Sequence, residues 1–141
     1  MGDDQGKNEK HRKIRVLLSK SKMDVHDRGI RYVARKMLES GLEVILTRHG
    51  LTDEVANIAL QEDIDVIGLS FSGGGHLSAC LRLKELLKGK GIEDKMVIVG
   101  GVIPEDDIPE LKKMGVAGVF GAGSRADEAI QFIKSSFGQK G

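Results

Sequence analysis

The segment Lys20-Ser21-Lys22-Met23-Asp24-Val25-His26-Asp27-Arg28-Gly29 concentrates the side chains best able to do chemistry. An imidazole that binds a metal through one ring nitrogen commonly gives its other N–H to a carboxylate, which fixes the tautomer and raises ligand basicity. Asp24 stands close enough to His26 along a loop to serve, and Lys20 could pair with Asp24 in turn. Gly29 would let a ligand pass close to the backbone. The same residues also fit a histidine solvated beside acids, so the spacing alone leaves both readings open. Zinc is a poor occupant: the chain has 4 histidines and 1 cysteine, and none stands at ligand spacing from His26. His11 reads as part of a polar tail, His49 as a surface loop residue, and His76 as either a helix-start residue or a group at the ligand's edge.

Five apolar runs separated by helical patterns must position this segment. Ile14 to Leu18, Leu42 to Leu46, Val66 to Leu69, Met96 to Val99 and Val116 to Phe120 read as strands. Ile30, Val33, Ala34, Met37 and Leu38 follow helical spacing, and Gly41 stands where a left-handed cap is wanted. Thr52 suits the N-cap of a second helix bearing Val55, Ile58 and Ala59. Leu77, Cys80, Leu81 and Lys84 mark a third from about His76 to Lys88, with Cys80 a core thiol. Pro104 opens a short fourth, and Ala126, Ala129, Ile130, Ile133 and Phe137 mark the last, which starts near Ser124. Strict alternation of strand and helix predicts an α/β fold with a parallel sheet covered on both faces. The five-stranded form has the flavodoxin-like order 2-1-3-4-5, with ligands bound beyond the carboxyl ends of the strands.

Glycines reinforce that edge. Of the 19 in the chain, Gly73-Gly74-Gly75, Gly100-Gly101 and Gly121-Ala122-Gly123 follow strands 3, 4 and 5. Each could simply make a tight turn. Together they suggest a long ligand lying against bare backbone.

Composition narrows the function classes. Lys plus Arg number 22 against 21 for Asp plus Glu, so no charge excess recruits nucleic acid or anionic lipid. Aromatics are 4% with no Trp, which argues against base-stacking platforms. No apolar run approaches the roughly 20 residues of a membrane span, and Met1 to Arg12 lacks the apolar stretch of a signal peptide. Residues 1–12 are expected to form a mobile polar tail, with one domain over 13–141 in the cytoplasm. A phosphorelay receiver shares this fold, but it needs paired acids after strand 1 and a lysine after strand 5, and Gly121 follows Phe120 with no such lysine.

Asp24-Val25-His26-Asp27-Arg28-Gly29 resembles the D-x-H-x-x-G motif of cobalamin-binding domains, with Ser70 at the start of the family's S-x-L motif and Gly100-Gly101 at its G-G pair. The resemblance runs from about Lys13 to Phe137. Gly75-His76, Gly100-Gly101-Val102-Ile103-Pro104 and Phe120-Gly121-Ala122-Gly123-Ser124-Arg125 are further similar to the carboxy-terminal domain of methylmalonyl-CoA mutase. In that family a histidine replaces dimethylbenzimidazole below the cobalt, which makes His26 the metal ligand, with Lys20, Asp24, Asp27, Arg28 and Gly29 around it. The displaced nucleotide tail enters a slot between the sheet and its helices. Ser70 is expected to bond the benzimidazole. Gly74, Gly100, Gly101, Gly121 and Gly123 would admit the ligand without side-chain clash, and Arg125 would either meet a phosphate or be solvated. Ser72 stands where the motif has leucine, so either the slot's apolar lining comes from elsewhere or the pocket differs.

The resemblance implies adenosylcobalamin as cofactor and the small subunit of an acyl-CoA mutase as the role, acting on methylmalonyl-CoA or a relative such as 2-hydroxyisobutyryl-CoA. Cobalamin radicals need shielding, and the chain has no spare length for a coenzyme A barrel, so a separate large TIM-barrel subunit is expected to carry substrate. A methyl-carrier corrinoid protein is the alternative, although such carriers usually have a helical cap before the binding domain. A non-catalytic cobalamin sensor or delivery module is the other.

Overall fold

The structure, a computed structural model, describes residues 12–138. Five strands, β1 (Arg15–Ser21), β2 (Glu43–His49), β3 (Val66–Phe71), β4 (Met96–Gly101) and β5 (Gly118–Gly121), alternate with helices α1 (Arg28–Glu39), α2 (Thr52–Gln61), α3 (His76–Gly89), α4 (Ile108–Lys113) and α5 (Ala126–Ser136). A short 3-10 turn, Glu105–Asp107, precedes α4. The sheet has the expected order, β2-β1-β3-β4-β5, and every neighbouring pair is parallel.

Alternation along the strands divides the core in two. Leu17, Ile67, Leu69, Val97 and Val99 face α2, α3 and α4, which contribute Val55, Ala56, Ala59, Cys80, Leu83, Leu87 and Leu111. Val16, Leu18, Val66 and Ile98 face α1 and α5, which contribute Ile30, Ala34, Met37, Ala129, Ile130 and Ile133. Chain order causes the asymmetry. The crossover from β1 to β2 runs one way and the later crossovers run the other, so right-handed connections put the helices on opposite faces. Two helices must therefore cover one face of five strands, and they leave the sheet open between them above β3 and β4.

Several expectations change. β1 and β2 run on past their apolar stretches, because Ser19, Lys20 and Ser21 pair in register with Thr47, Arg48 and His49 through backbone bonds that do not depend on side-chain polarity. His49 is thus no surface loop residue: it is buried at the end of β2, its Nδ1 2.6 Å from the Oγ of Ser19. Thr52 is the first helical residue of α2 rather than its cap. Glu54 takes the capping role, its Oε2 accepting from the backbone N–H groups of Gly50 and Leu51 at 3.1 and 2.9 Å. On α3 the buried stripe is Cys80, Leu83 and Leu87, leaving Leu81 exposed, and Leu38 and Phe137 are exposed on α1 and after α5. Gly41 has the anticipated left-handed backbone, φ +98°.

His11 and most of the expected tail lie outside the described residues. Arg12 belongs to the fold, since its Nη2 meets Asp65 Oδ1 at 3.0 Å while Asp65 Oδ2 accepts from the Arg15 N–H at 2.9 Å.

Candidate functional site: an oriented imidazole beside an open groove

The β1–α1 loop presents His26 at the carboxyl edge of the sheet, its side chain 76% exposed. Asp24 steadies it twice: the carboxylate Oδ1 accepts from the His26 backbone N–H and lies 3.0 Å from His26 Nδ1. The other oxygen, Oδ2, is 2.8 Å from Lys20 Nζ. Burial opposes ionisation of Asp24, but the Lys20 ammonium and the bonds from His26 outweigh it and hold the carboxyl well below its ordinary range. An ionised carboxylate only accepts, so the ring hydrogen sits on Nδ1 and Nε2 offers its lone pair outward. That is the arrangement of a metal-ligating histidine with its carboxylate support.

Lys20 is itself buried, at 3% exposure. Its ammonium is satisfied by Asp24 and by two hydroxyls, donating to Ser72 Oγ at 2.9 Å and Ser70 Oγ at 3.3 Å. The residue standing in place of the motif leucine therefore joins the polar chain behind the imidazole rather than the apolar lining. Strand register explains the convergence, for Lys20 pairs with Ser70, and Ser70 with Gly100, in one cross-strand row. Because Ser70 Oγ accepts from lysine, its own O–H remains free to donate toward the groove.

That groove, about 240 Å³, lies where α1 and α5 leave the sheet uncovered. Leu18, Ile30, Val33, Ile98, Phe120 and Ala129 wall it, so the apolar lining does come from elsewhere than position 72. Gly29, Ser70, Gly100, Gly101 and Gly121 also line it, and exposed Arg125 stands at its mouth, 3.4 Å from Asp127. Gly101 is required by geometry: φ is +99° and a Cβ would fall 2.1 Å from the Phe71 carbonyl oxygen.

Sequence reasoning missed Gly68 and Arg48. Gly68 lines the groove, and a Cβ there would meet Leu18 Cδ2 at 2.7 Å and Ile98 Cγ1 at 3.5 Å, so a side chain would displace two of the groove's walls. The signal was present, since a glycine inside an apolar strand marks a close approach. Arg48 lies behind the histidine loop and carried no motif.

Not every anticipated residue converges. Ser72 and Gly74 line the shallow rim beside Asp24 and His26, outside the groove. Asp27 turns away to Arg31 Nε at 2.9 Å, a bond that lowers its pKa, and Arg28 faces solvent with Arg31, Tyr32 and Arg35. Gly123 lines neither the groove nor the rim, because the chain has turned outward by that point. His76 opens α3 and is buried, its Nε2 2.7 Å from Asp107 Oδ2. Cys80 is an inert core thiol, pushed up to about 11 by burial.

Two features together, an exposed imidazole with a fixed tautomer and an adjacent apolar groove floored by glycine, fit a ligand with both a metal and a long tail. Similarity to known proteins shows the family. The chain is 39% identical over 129 residues to the 2-hydroxyisobutanoyl-CoA mutase small subunit of Aquincola tertiaricarbonis, covering 91% of this chain and 95% of that one. It is 37% identical to the methylmalonyl-CoA mutase of Rhizobium meliloti over 86% of this chain, which spans only 17% of that longer protein. Among solved structures, a cobalamin-binding protein from Desulfitobacterium hafniense shares the fold, with a TM-score of 0.74 at 18% identity over 88% of this chain and 59% of that one. The family model described as "B12 binding domain" matches residues 14–131, from the residue before β1 into α5, and the chain belongs to that family.

Proposed function

We propose that this chain is the cobalamin-binding small subunit of an adenosylcobalamin-dependent acyl-CoA mutase, and that His26 Nε2 is the lower axial ligand to cobalt. The observation that carries the reading is the polar chain Ser72–Lys20–Asp24–His26, which ends in an outward lone pair beside an open groove. The groove takes the displaced nucleotide tail: Ser70 O–H donates to the base, Gly68, Gly100 and Gly101 keep backbone bare beneath it, and Arg125 stands where a phosphate would emerge. When bound, the cofactor supplies radical chemistry through homolysis of its cobalt–carbon bond. The chain's own work is to hold the imidazole in one tautomer and direction, and to enclose the tail away from water.

Among the described residues the site offers one face to a cofactor. In this reading the partner is a large TIM-barrel subunit that binds the coenzyme A ester and closes over the upper face. Likeness to a separate small subunit, matched over nearly all its length, supports the two-chain arrangement over the methyl-carrier and sensor readings. No helix among the described residues is long and apolar enough to cross a membrane, and a cytoplasmic setting suits a coenzyme A substrate.

The test is spectroscopic. Adenosylcobalamin added to the purified chain should shift to a base-off, histidine-ligated absorption spectrum, and His26→Ala should abolish the shift. A vitamin that keeps its own benzimidazole on cobalt overturns the assignment. Turnover should appear only after the large subunit is mixed in, and turnover by the lone chain would refute the two-subunit claim.

A further inference from the structure

Asp24 and Lys20 hold the histidine loop from the sheet side. A second restraint reaches it from the other flank, and nothing in the motif predicts it. We propose that Arg48, at the end of β2, is a positioning residue that pins the Ser21–Asp27 loop and thereby fixes the direction of His26 Nε2. This rests on the reading of His26 as the axial ligand.

The guanidinium holds three points. Arg48 Nη1 donates to the carbonyl oxygens of Ser21, at 3.2 Å, and Asp24, at 2.5 Å, while Nη2 lies 3.7 Å from Asp27 Oδ2. These points bracket Met23, Val25 and His26. Met23 and Val25 are 89% and 80% exposed, so neither side chain is packed to hold this stretch in place. The backbone bonds of the loop are few: Lys22 N–H donates to the His49 carbonyl, Asp24 N–H to the Ser21 carbonyl and Met23 N–H to Ser21 Oγ, while His26 N–H is held by the Asp24 side chain.

Arg48 is well placed to act as a fixed support. Its backbone is in register with Lys20, so one cross-strand pair carries both restraints on the loop, the ammonium from one side and the guanidinium from the other. The next residue, His49, is buried against Ser19 and anchors the strand end. A planar fork can reach two carbonyls and a carboxylate at once, whereas a lysine offers a single point of charge, so arginine is specifically suited here.

The test has one arm without cofactor and one with it, using wild type, R48K and R48Q. In the cofactor-free chain, amide hydrogen exchange at Asp24 and His26 should quicken at least tenfold in R48Q and by less in R48K, with core amides such as Leu17 and Ile67 unchanged. Unchanged core exchange also certifies that the variant is folded, and should R48Q fail to fold, R48K carries the comparison. In the loaded arm, reduced cob(II)alamin on the wild type should show imidazole-nitrogen splitting in its electron paramagnetic resonance spectrum. R48Q should show a smaller ligated fraction and cobalamin affinity weakened several-fold, with H26A showing no splitting. Exchange at Asp24 and His26 within twofold of wild type in R48Q overturns the proposal, as does an undiminished ligated fraction. Absence of splitting in the wild type would defeat the axial-ligand reading by itself, and faster loop exchange in R48Q would still support the anchoring.

Discussion

Replacing Asp24 by Asn tests the polar chain behind the imidazole without any cofactor. The amide retains an oxygen to accept the His26 N–H, but the substitution removes the one carboxylate bonded to Lys20 among the described residues. Breaking a buried ion pair from one side costs about 3–5 kcal/mol, because the remaining charge is left uncompensated. Two features lower that figure here: Asp24 keeps 16% exposure, and Ser70 and Ser72 continue to accept from the ammonium. A loss of about 2–3 kcal/mol is expected, since hydrogen bonds to a charged group recover part of the desolvation cost. The reverse change, Lys20→Met, should cost only about 1 kcal/mol, because a part-exposed carboxylate can turn to water. The double variant should resemble Lys20→Met alone, giving a coupling of about 2–3 kcal/mol between the positions. Urea unfolding of the four proteins measures it, with the midpoint rather than the slope expected to move. A coupling below about 0.5 kcal/mol would show that the two side chains act independently and would refute the chain of support drawn from Lys20 to His26.

Further outcomes follow from the same geometry. Burial lowers the pKa of His49, partly offset by the Glu54 carboxylate, so the unfolded chain binds more protons at that site. Stability contributed there is complete above the unfolded value near 6.5 and is lost as pH falls through it toward the lower folded value, so thermal unfolding between pH 7.5 and 5.5 should decline less steeply in His49→Gln. Gly101→Ala should cost about 3 kcal/mol, since a Cβ there strikes backbone, whereas Gly123→Ala should stay within about 0.5 kcal/mol, and chemical denaturation separates them. Gly68→Val should leave the chain folded by circular dichroism yet weaken cobalamin binding at least tenfold in equilibrium dialysis. Unchanged affinity would remove the groove from the site.

The fold was legible because its signals are periodic. Apolar runs and helical stripes placed all five strands, and alternation then dictated the sheet order. Strand ends were not legible, since Lys20, Arg48 and His49 are polar residues paired by backbone geometry that no hydropathy pattern records. That is also why His49 read as a surface group and why Arg48 escaped notice. At the site, spacing suggested only that Asp24 and Lys20 could support His26, and the resemblance to cobalamin-binding domains is what singled the histidine out. Ser72 illustrates the converse limit: the sequence marked it as a departure from a motif, but its bond to Lys20 exists only because two strands meet there. Arg28 and Gly123 belong to the motif stretches yet face outward, so membership in a motif did not fix orientation.

The uncovered strip between α1 and α5 means that the polypeptide alone leaves its interior unfinished. Leu18, Val33, Ile98 and Phe120 border space that, on the proposed reading, the cofactor's tail would complete. Anything that binds only the native form at a hundred times its dissociation constant adds about 2.7 kcal/mol to stability. On the proposed reading, the loaded chain would therefore resist unfolding more than the free one.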